Sequence, residues 1–228
     1  MTKRRKWTAI PGFLALAAAA TVLSVYSGAS SSQGREPEQP IAFPHPTHVQ
    51  KLGMNCLYCH YSANKSPDPG LPAVGTCMGC HAIIGPDRQA TDLGPKRKSA
   101  EIQKLWNYAD IKIPGSQIGP NAKPIPWVRI HKLPEYVHFP HTRHVNAGVT
   151  CQTCHGQIQN MDRVYQFASL NMGWCVSCHV NGYSAKEGEE AAGYSAQQQA
   201  TPTASVAPAN LATGERKKAR YDCANCHY

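Results

Sequence analysis

The chain has 228 residues, 42% of them hydrophobic, with 18 Gly, 18 Pro and 10 Cys. That length allows one or two domains, and the Gly and Pro load leaves a loop-rich chain short of the apolar mass that a core needs. A formal charge of +9 would suit nucleic acid or anionic lipid, yet no nucleic-acid motif accompanies it, and nucleic acid is not an expected partner.

The amino end opens with "MTKRRK", which contains Lys3, Arg4, Arg5 and Lys6, and continues as an uncharged run from Trp7 to Tyr26. As a helix these 20 residues would rise about 30 Å, the thickness of a bilayer's hydrocarbon core. The basic cluster predicts a cytoplasmic amino terminus with the rest of the chain outside. Pro11 and Gly12 fall in the first turns, where they disturb a membrane helix least. Residues 1–29 therefore read as a basic tip and a transmembrane anchor. The alternative is a signal peptide cleaved at Ser27–Ala29. Residues 30–40, "SSSQGREPEQP", read as an extended tether.

Residues 41–85 follow as a first module. It begins Phe43-Pro44-His45 with His48 three residues on, and then carries Cys56, Cys59 and His60, a loop, and Cys77, Cys80 and His81. C-x-x-C-H is the attachment motif of c-type haem: the thiols form thioethers to the porphyrin and the histidine binds the iron. Zinc knuckles and redox loops share the C-x-x-C, but thiolate zinc gives no reason for a histidine after every pair. Residues 86–136 connect. Within them, Ser99–Asp110 has helical spacing, with Ile102, Leu105, Trp106 and Ala109 on one face and Ser99 as the N-cap. The following "IPGSQIGPNAKPIP" is irregular.

Residues 137–182 repeat the first module. Phe139-Pro140-His141 and His144 precede Cys151, Cys154 and His155, and then Cys175, Cys178 and His179. From the second spare histidine to the first cysteine there are eight residues in one copy and seven in the other. Residues 183–210 are poor in large apolar groups and read as a linker. Residues 211–228 hold a fifth motif, Cys223, Cys226 and His227.

All 10 cysteines thus belong to five C-x-x-C-H motifs and none is left for a disulfide. Five covalent haems c would supply the missing apolar bulk, and their propionates would bring the net charge to about −1. The expected fold is a multihaem cytochrome c, mostly irregular, with short α-helices packed around five haems and one amino-terminal transmembrane helix. An iron has two axial positions and the motif histidine fills one. In H-x-x-H both imidazoles share one side of a turn yet can reach different irons. His45, His48, His131, His141 and His144 are the candidate distal ligands, with Met161 as a possible thioether ligand. His138 stands apart, because its counterpart in the first module is Ala42. Ligands roughly equal irons and no motif is C-x-x-C-K. A haem open to substrate and a catalytic residue are therefore not expected, and the chemistry is outer-sphere electron transfer.

The H-x-x-H and C-x-x-C-H modules resemble cytochrome c7/c3-type multihaem cytochromes. The wider layout, with "WVRIHKLPEYVHFPHTRHVNAGVTCQTCH", "MGWCVSCH" and a late fifth motif, resembles the pentahaem subunits of bacterial alternative complex III, a membrane quinol oxidase. That resemblance implies the outer face of the inner membrane and an iron–sulfur subunit with integral quinol-oxidising subunits as partners. It also implies transfer to a further cytochrome c subunit, a soluble cytochrome c, a blue copper protein or an oxidase. Alternatives are a tetrahaem-type quinol dehydrogenase feeding a periplasmic reductase, and a multihaem reductase with an open iron.

Overall fold

The computed structural model describes residues 9–26, 32–88, 97–184 and 218–228. The basic tip, the cleavage sequence at Ser27–Ala29 and most of the expected linker at 183–210 lie outside the described residues.

Helix α1, Ala9–Tyr26, has 18 residues and no charge, which gives a length of about 27 Å. Its side chains from Pro11 to Leu23 are exposed, Phe13 and Leu16 among them. Among the described residues no helix is long and apolar enough to cross a membrane. Trp7 and Thr8 of the expected 20-residue span lie outside the described residues, and Pro11 and Gly12 take up the first turn of the described helix. Residues 32–34 form a turn, closed by Arg35 N on Ser32 O at 3.0 Å, and the irregular residues that follow are not free. Gly34 N donates to Gln166 O at 2.7 Å and Gln166 N to Arg35 O at 3.1 Å. Gln39 brackets the backbone of Val128, accepting from its N at 2.9 Å and donating to its O at 3.0 Å.

Short helices carry the two modules. In the first, a six-residue π turn, Pro46–Lys51, leads to α2, Cys56–Cys59, and then to α3, Val74–His81. In the second, α5, His141–Asn146, leads to α6, Cys151–His155, a 3-10 turn, Ile158–Asn160, and α7, Met172–Asn181. The extra residue of the first copy is absorbed by its π turn, since an i→i+5 turn holds one residue more than an α turn. The loops close at equivalent carbonyls: Met54 N bonds to His48 O and Val149 N to His144 O. Gly53 at φ +66 and Gly148 at φ +86 make the matching left-handed turn three residues before each first cysteine.

Between the modules lies a two-residue ladder, β1 Asp87–Arg88 with β2 Arg97–Lys98, and then α4, Ala100–Ala109. Ser99 caps α4, its hydroxyl accepting from Ile102 N at 3.3 Å, and Asp110 ends it at φ 54. The predicted face, Ile102, Leu105, Trp106 and Ala109, is buried with Ile41, Val74, Met78, Ile111 and Ile125. Trp106 Nε1 donates to His81 O at 2.8 Å, fastening α3 to α4. Gly85 sits beneath that indole, where a β-carbon would meet Trp106 Cζ2 at 2.8 Å. The last helix, α8, Cys223–Cys226, pairs with the second module through a bridge between Val137 and His227. Only 12 hydrophobic residues are buried among the described ones, too few for a chain of this size to form a core from polypeptide alone.

Candidate functional site

Each C-x-x-C-H motif starts a helix or lies within one. Helical spacing places residues i, i+3 and i+4 on one face, so both thiols and the imidazole of every motif can point the same way. Asn55 and Asn171 cap α2 and α7, accepting from Leu57 N and Trp174 N at 2.8 Å. None of the ten cysteines is paired in a disulfide.

Four of the motif histidines have a partner for Nδ1. His60 Nδ1 donates to Gly70 O at 2.9 Å, His81 Nδ1 to Ile84 O at 3.1 Å and His179 Nδ1 to Arg220 O at 2.6 Å. A carbonyl only accepts, so Nδ1 carries the hydrogen and Nε2 keeps its lone pair for a metal. His155 differs, because its Nδ1 lies 3.3 Å from His131 Nε2. His227 stacks on Tyr136 with ring centroids 5.7 Å apart.

The spare histidines are prepared in the same way. His48 Nδ1 donates to Pro44 O and His144 Nδ1 to Pro140 O, both at 3.0 Å, and His141 Nδ1 donates to Pro67 O at 2.9 Å. Phenylalanine holds each pair. Phe43 stacks on His48 at 4.2 Å and meets His45 edge-on at 5.0 Å. Phe139 does the same to His144 at 4.3 Å and His141 at 4.9 Å. Phe-Pro-His-x-x-His is therefore one device: the proline carbonyl fixes a tautomer and the phenyl ring fixes two orientations. In the sequence Phe43, Pro44, Phe139 and Pro140 stand out by their recurrence, which alone does not reveal this role.

Across from these rings lie the motif histidines. His48 and His81 have ring centroids 6.1 Å apart, His144 and His179 6.0 Å, and His141 and His155 6.5 Å. Two imidazoles on opposite sides of one metal, with bonds of about 2 Å, have ring centres roughly 6.3 Å apart. His45 lies within electrostatic reach of His60. Burial, and then the neighbouring His60 and His48, hold its pKa down to about 4. Burial, and then His131, His141 and His60, hold His155 at about 3. Burial likewise lowers His131, His141 and His144. At neutral pH these imidazoles are uncharged, the form that binds metal.

The remaining candidates separate. His131 lies behind His155, its Nε2 engaged by that ring. Met161 is buried where the 3-10 turn ends, its N bonded to Ile158 O. His138, set apart on sequence, is tied to the fifth motif: its N donates to Cys226 O at 2.8 Å and its Nδ1 lies 3.0 Å from Tyr228 Oη. The signal that could have found it is that the fifth motif also has no counterpart in the first module.

These residues fit covalent haem. Three histidine pairs have the separation that an iron requires. His45 Nδ1 and Trp127 Nε1 are enclosed without a hydrogen-bond partner, and the propionates of haem are acceptors. Tyr58, Tyr61, Leu71, Met172 and Tyr221, beside the motifs, lie exposed, where a porphyrin would cover them.

No protein-family profile matches the chain. Over 165 residues it is 26% identical to the multihaem cytochrome c subunit of menaquinone reductase from Nitratidesulfovibrio vulgaris (strain Hildenborough), an alignment covering 63% of this chain and 69% of the relative.

Proposed function

We propose that this chain is a pentahaem c-type cytochrome, the electron-transfer subunit of a membrane quinone-linked oxidoreductase and not catalytic by itself. The observation that carries the reading is the set of three histidine pairs at 6.0 to 6.5 Å, each joining a spare histidine to a C-x-x-C-H histidine. The likeness to a cytochrome subunit of menaquinone reductase supports the link to quinone.

In this reading the thioethers form at Cys56 and Cys59, Cys77 and Cys80, Cys151 and Cys154, Cys175 and Cys178, and Cys223 and Cys226. His60, His81, His155, His179 and His227 are the proximal ligands. Opposite them stand His45 for His60, His48 for His81, His141 for His155 and His144 for His179. The first histidine of each H-x-x-H thus serves its own module's first motif and the second serves the other. His138 serves the fifth, His131 orients His155 as a positioning residue, and Met161 is packing. Bound haem supplies a reversible one-electron couple; the chain supplies position, ligation and burial.

The haem-bearing part would lie on the periplasmic side of the inner membrane, held there by α1 with the residues before it. Its partners would be an iron–sulfur subunit, integral quinone-reacting subunits, and a further cytochrome c subunit or soluble acceptor. The sequence resemblance implies electrons leaving quinol. The relative's name favours a second reading, in which electrons pass towards menaquinone. Purification in mild detergent, followed by mixing with a quinol analogue, tests both. Reduction of the haem α-band supports the first reading, and reoxidation of pre-reduced haem by added quinone supports the second. A chain that copurifies with no quinone-reactive subunit contradicts both.

A further inference from the structure

The five motifs touch one another in an order that differs from their order in the chain. The second motif meets the first: the Tyr58 hydroxyl, between Cys56 and Cys59, stands 3.8 Å from the position of a β-carbon on Gly79, between Cys77 and Cys80. The first meets the third: Cys56 and Cys151 lie close enough for each thiol to shift the other's pKa. Around that contact His141 N donates to Pro67 O at 3.0 Å and Asn146 Nδ2 to Asn64 O at 3.1 Å, sewing the second module to the loop after the first motif. The third meets the fourth through α5, whose His141 faces His155 and whose His144 faces His179. Cys154 also lies within electrostatic reach of Cys178 and Cys175. The fourth meets the fifth: Ala219 N donates to His179 O at 3.2 Å, and His179 Nδ1 to Arg220 O at 2.6 Å.

We propose that the haem sites form a single file in the order second, first, third, fourth, fifth, so that the second and fifth motifs are its two ends. The inference rests on the pentahaem reading above. It has a structural cause. The modules abut through their first motifs, and this pushes the second motif outward on one side and the fourth outward on the other, where the carboxyl-terminal segment extends the file by one. The ends differ in setting. The second motif is packed against α4 and the apolar core, with Val74 and Met78 of its helix buried. The fifth lies among the exposed Arg220, Tyr221 and Tyr228, and offers the open end to a partner.

Diffraction at the iron edge from the mature, haem-loaded protein tests this, because each iron appears as a peak that can be assigned by its attached cysteines. The expected result is five peaks whose nearest-neighbour links run in that order. The irons at Cys77/Cys80 and at Cys223/Cys226 should be the most distant pair. Five irons in another order, such as the second nearest the third or the fifth beside the first, would overturn the file and leave the pentahaem reading standing. Fewer than five irons would overturn that reading and, with it, a five-membered file.

Discussion

Phe139 lies against His144 with ring centroids 4.3 Å apart and planes at 29°, and Phe43 repeats the contact on His48 at 4.2 Å and 23°. Two copies that differ in length by one residue preserve this stack almost unchanged, which ties the aromatic ring to the histidine and not to the surrounding loop. An aromatic pair contributes about 0.5–1.5 kcal/mol beyond its burial. Phe139→Ala should therefore weaken distal ligation by up to about tenfold at the sites facing His141 and His144. The expected result is an increased high-spin fraction in EPR with haem still covalently bound, and Phe139→Leu should be milder. A fully low-spin Phe139→Ala protein would show that the ring only fills space.

The paired histidines separate by substitution. His141→Ala and His144→Ala should each turn one haem high-spin, and not the same one, because the two rings face different motif histidines. His138→Ala should turn a third, the one attached at Cys223 and Cys226. His131→Ala should leave every haem low-spin and lower the potential stability of one site only through the lost partner of His155 Nδ1. EPR of the four variants decides among these roles; a high-spin signal from His131→Ala would make it a ligand.

Much of this arrangement was legible because it repeats. The five C-x-x-C-H motifs are plain in the sequence and carry the expectation of haem, and the helical face of Ile102, Leu105, Trp106 and Ala109 was readable from its spacing and is buried. Pairing across space was not readable. His131 sits in a run with the look of a ligand, yet which nitrogen it offers, and to what, depends on how residues 24 apart meet. His138 has no partner in the first module, and its contact with the fifth motif spans residues 88 apart, which no local pattern records. The π turn at Pro46–Lys51 and the docking of residues 32–40 on Gln166 depend on tertiary contacts that no local pattern records.

Gly53 and Gly148 give a prediction about the turn itself. Both adopt positive φ, and nothing lies within 4 Å of the position of a β-carbon at Gly53. Gly53→Ala should therefore cost only the backbone strain, about 1–2 kcal/mol, seen as a fall in Tm by circular dichroism with haem content unchanged. An unchanged Tm would mean that the turn relaxes without cost.

Acid should act late at His45. Burial holds its pKa near 4, below the ordinary 6.5. A group depressed in the fold stays unprotonated while the unfolded chain takes up protons, so stability is full above about pH 6.5 and is lost as pH falls towards 4. Protons compete for Nε2 only at the lower end of that window. The haem facing His45 should stay low-spin through about pH 5 in an optical titration. A high-spin band growing in near pH 6.5 would contradict the enclosed setting of this ring.

Membrane attachment is tested by washing native membranes with alkali. Retention of the chain, lost when residues 1–29 are removed, is expected if α1 and the residues before it anchor the protein; release of the intact chain would contradict the anchor.

The central claim is that each C-x-x-C-H motif holds a covalent haem whose iron is closed on both sides by histidine. The most direct measurement is a pyridine haemochrome assay combined with EPR on the mature, oxidised protein. The account predicts five haems c per chain, all low-spin and unresponsive to cyanide. Fewer than five haems, or a high-spin signal that shifts on adding cyanide, would contradict it.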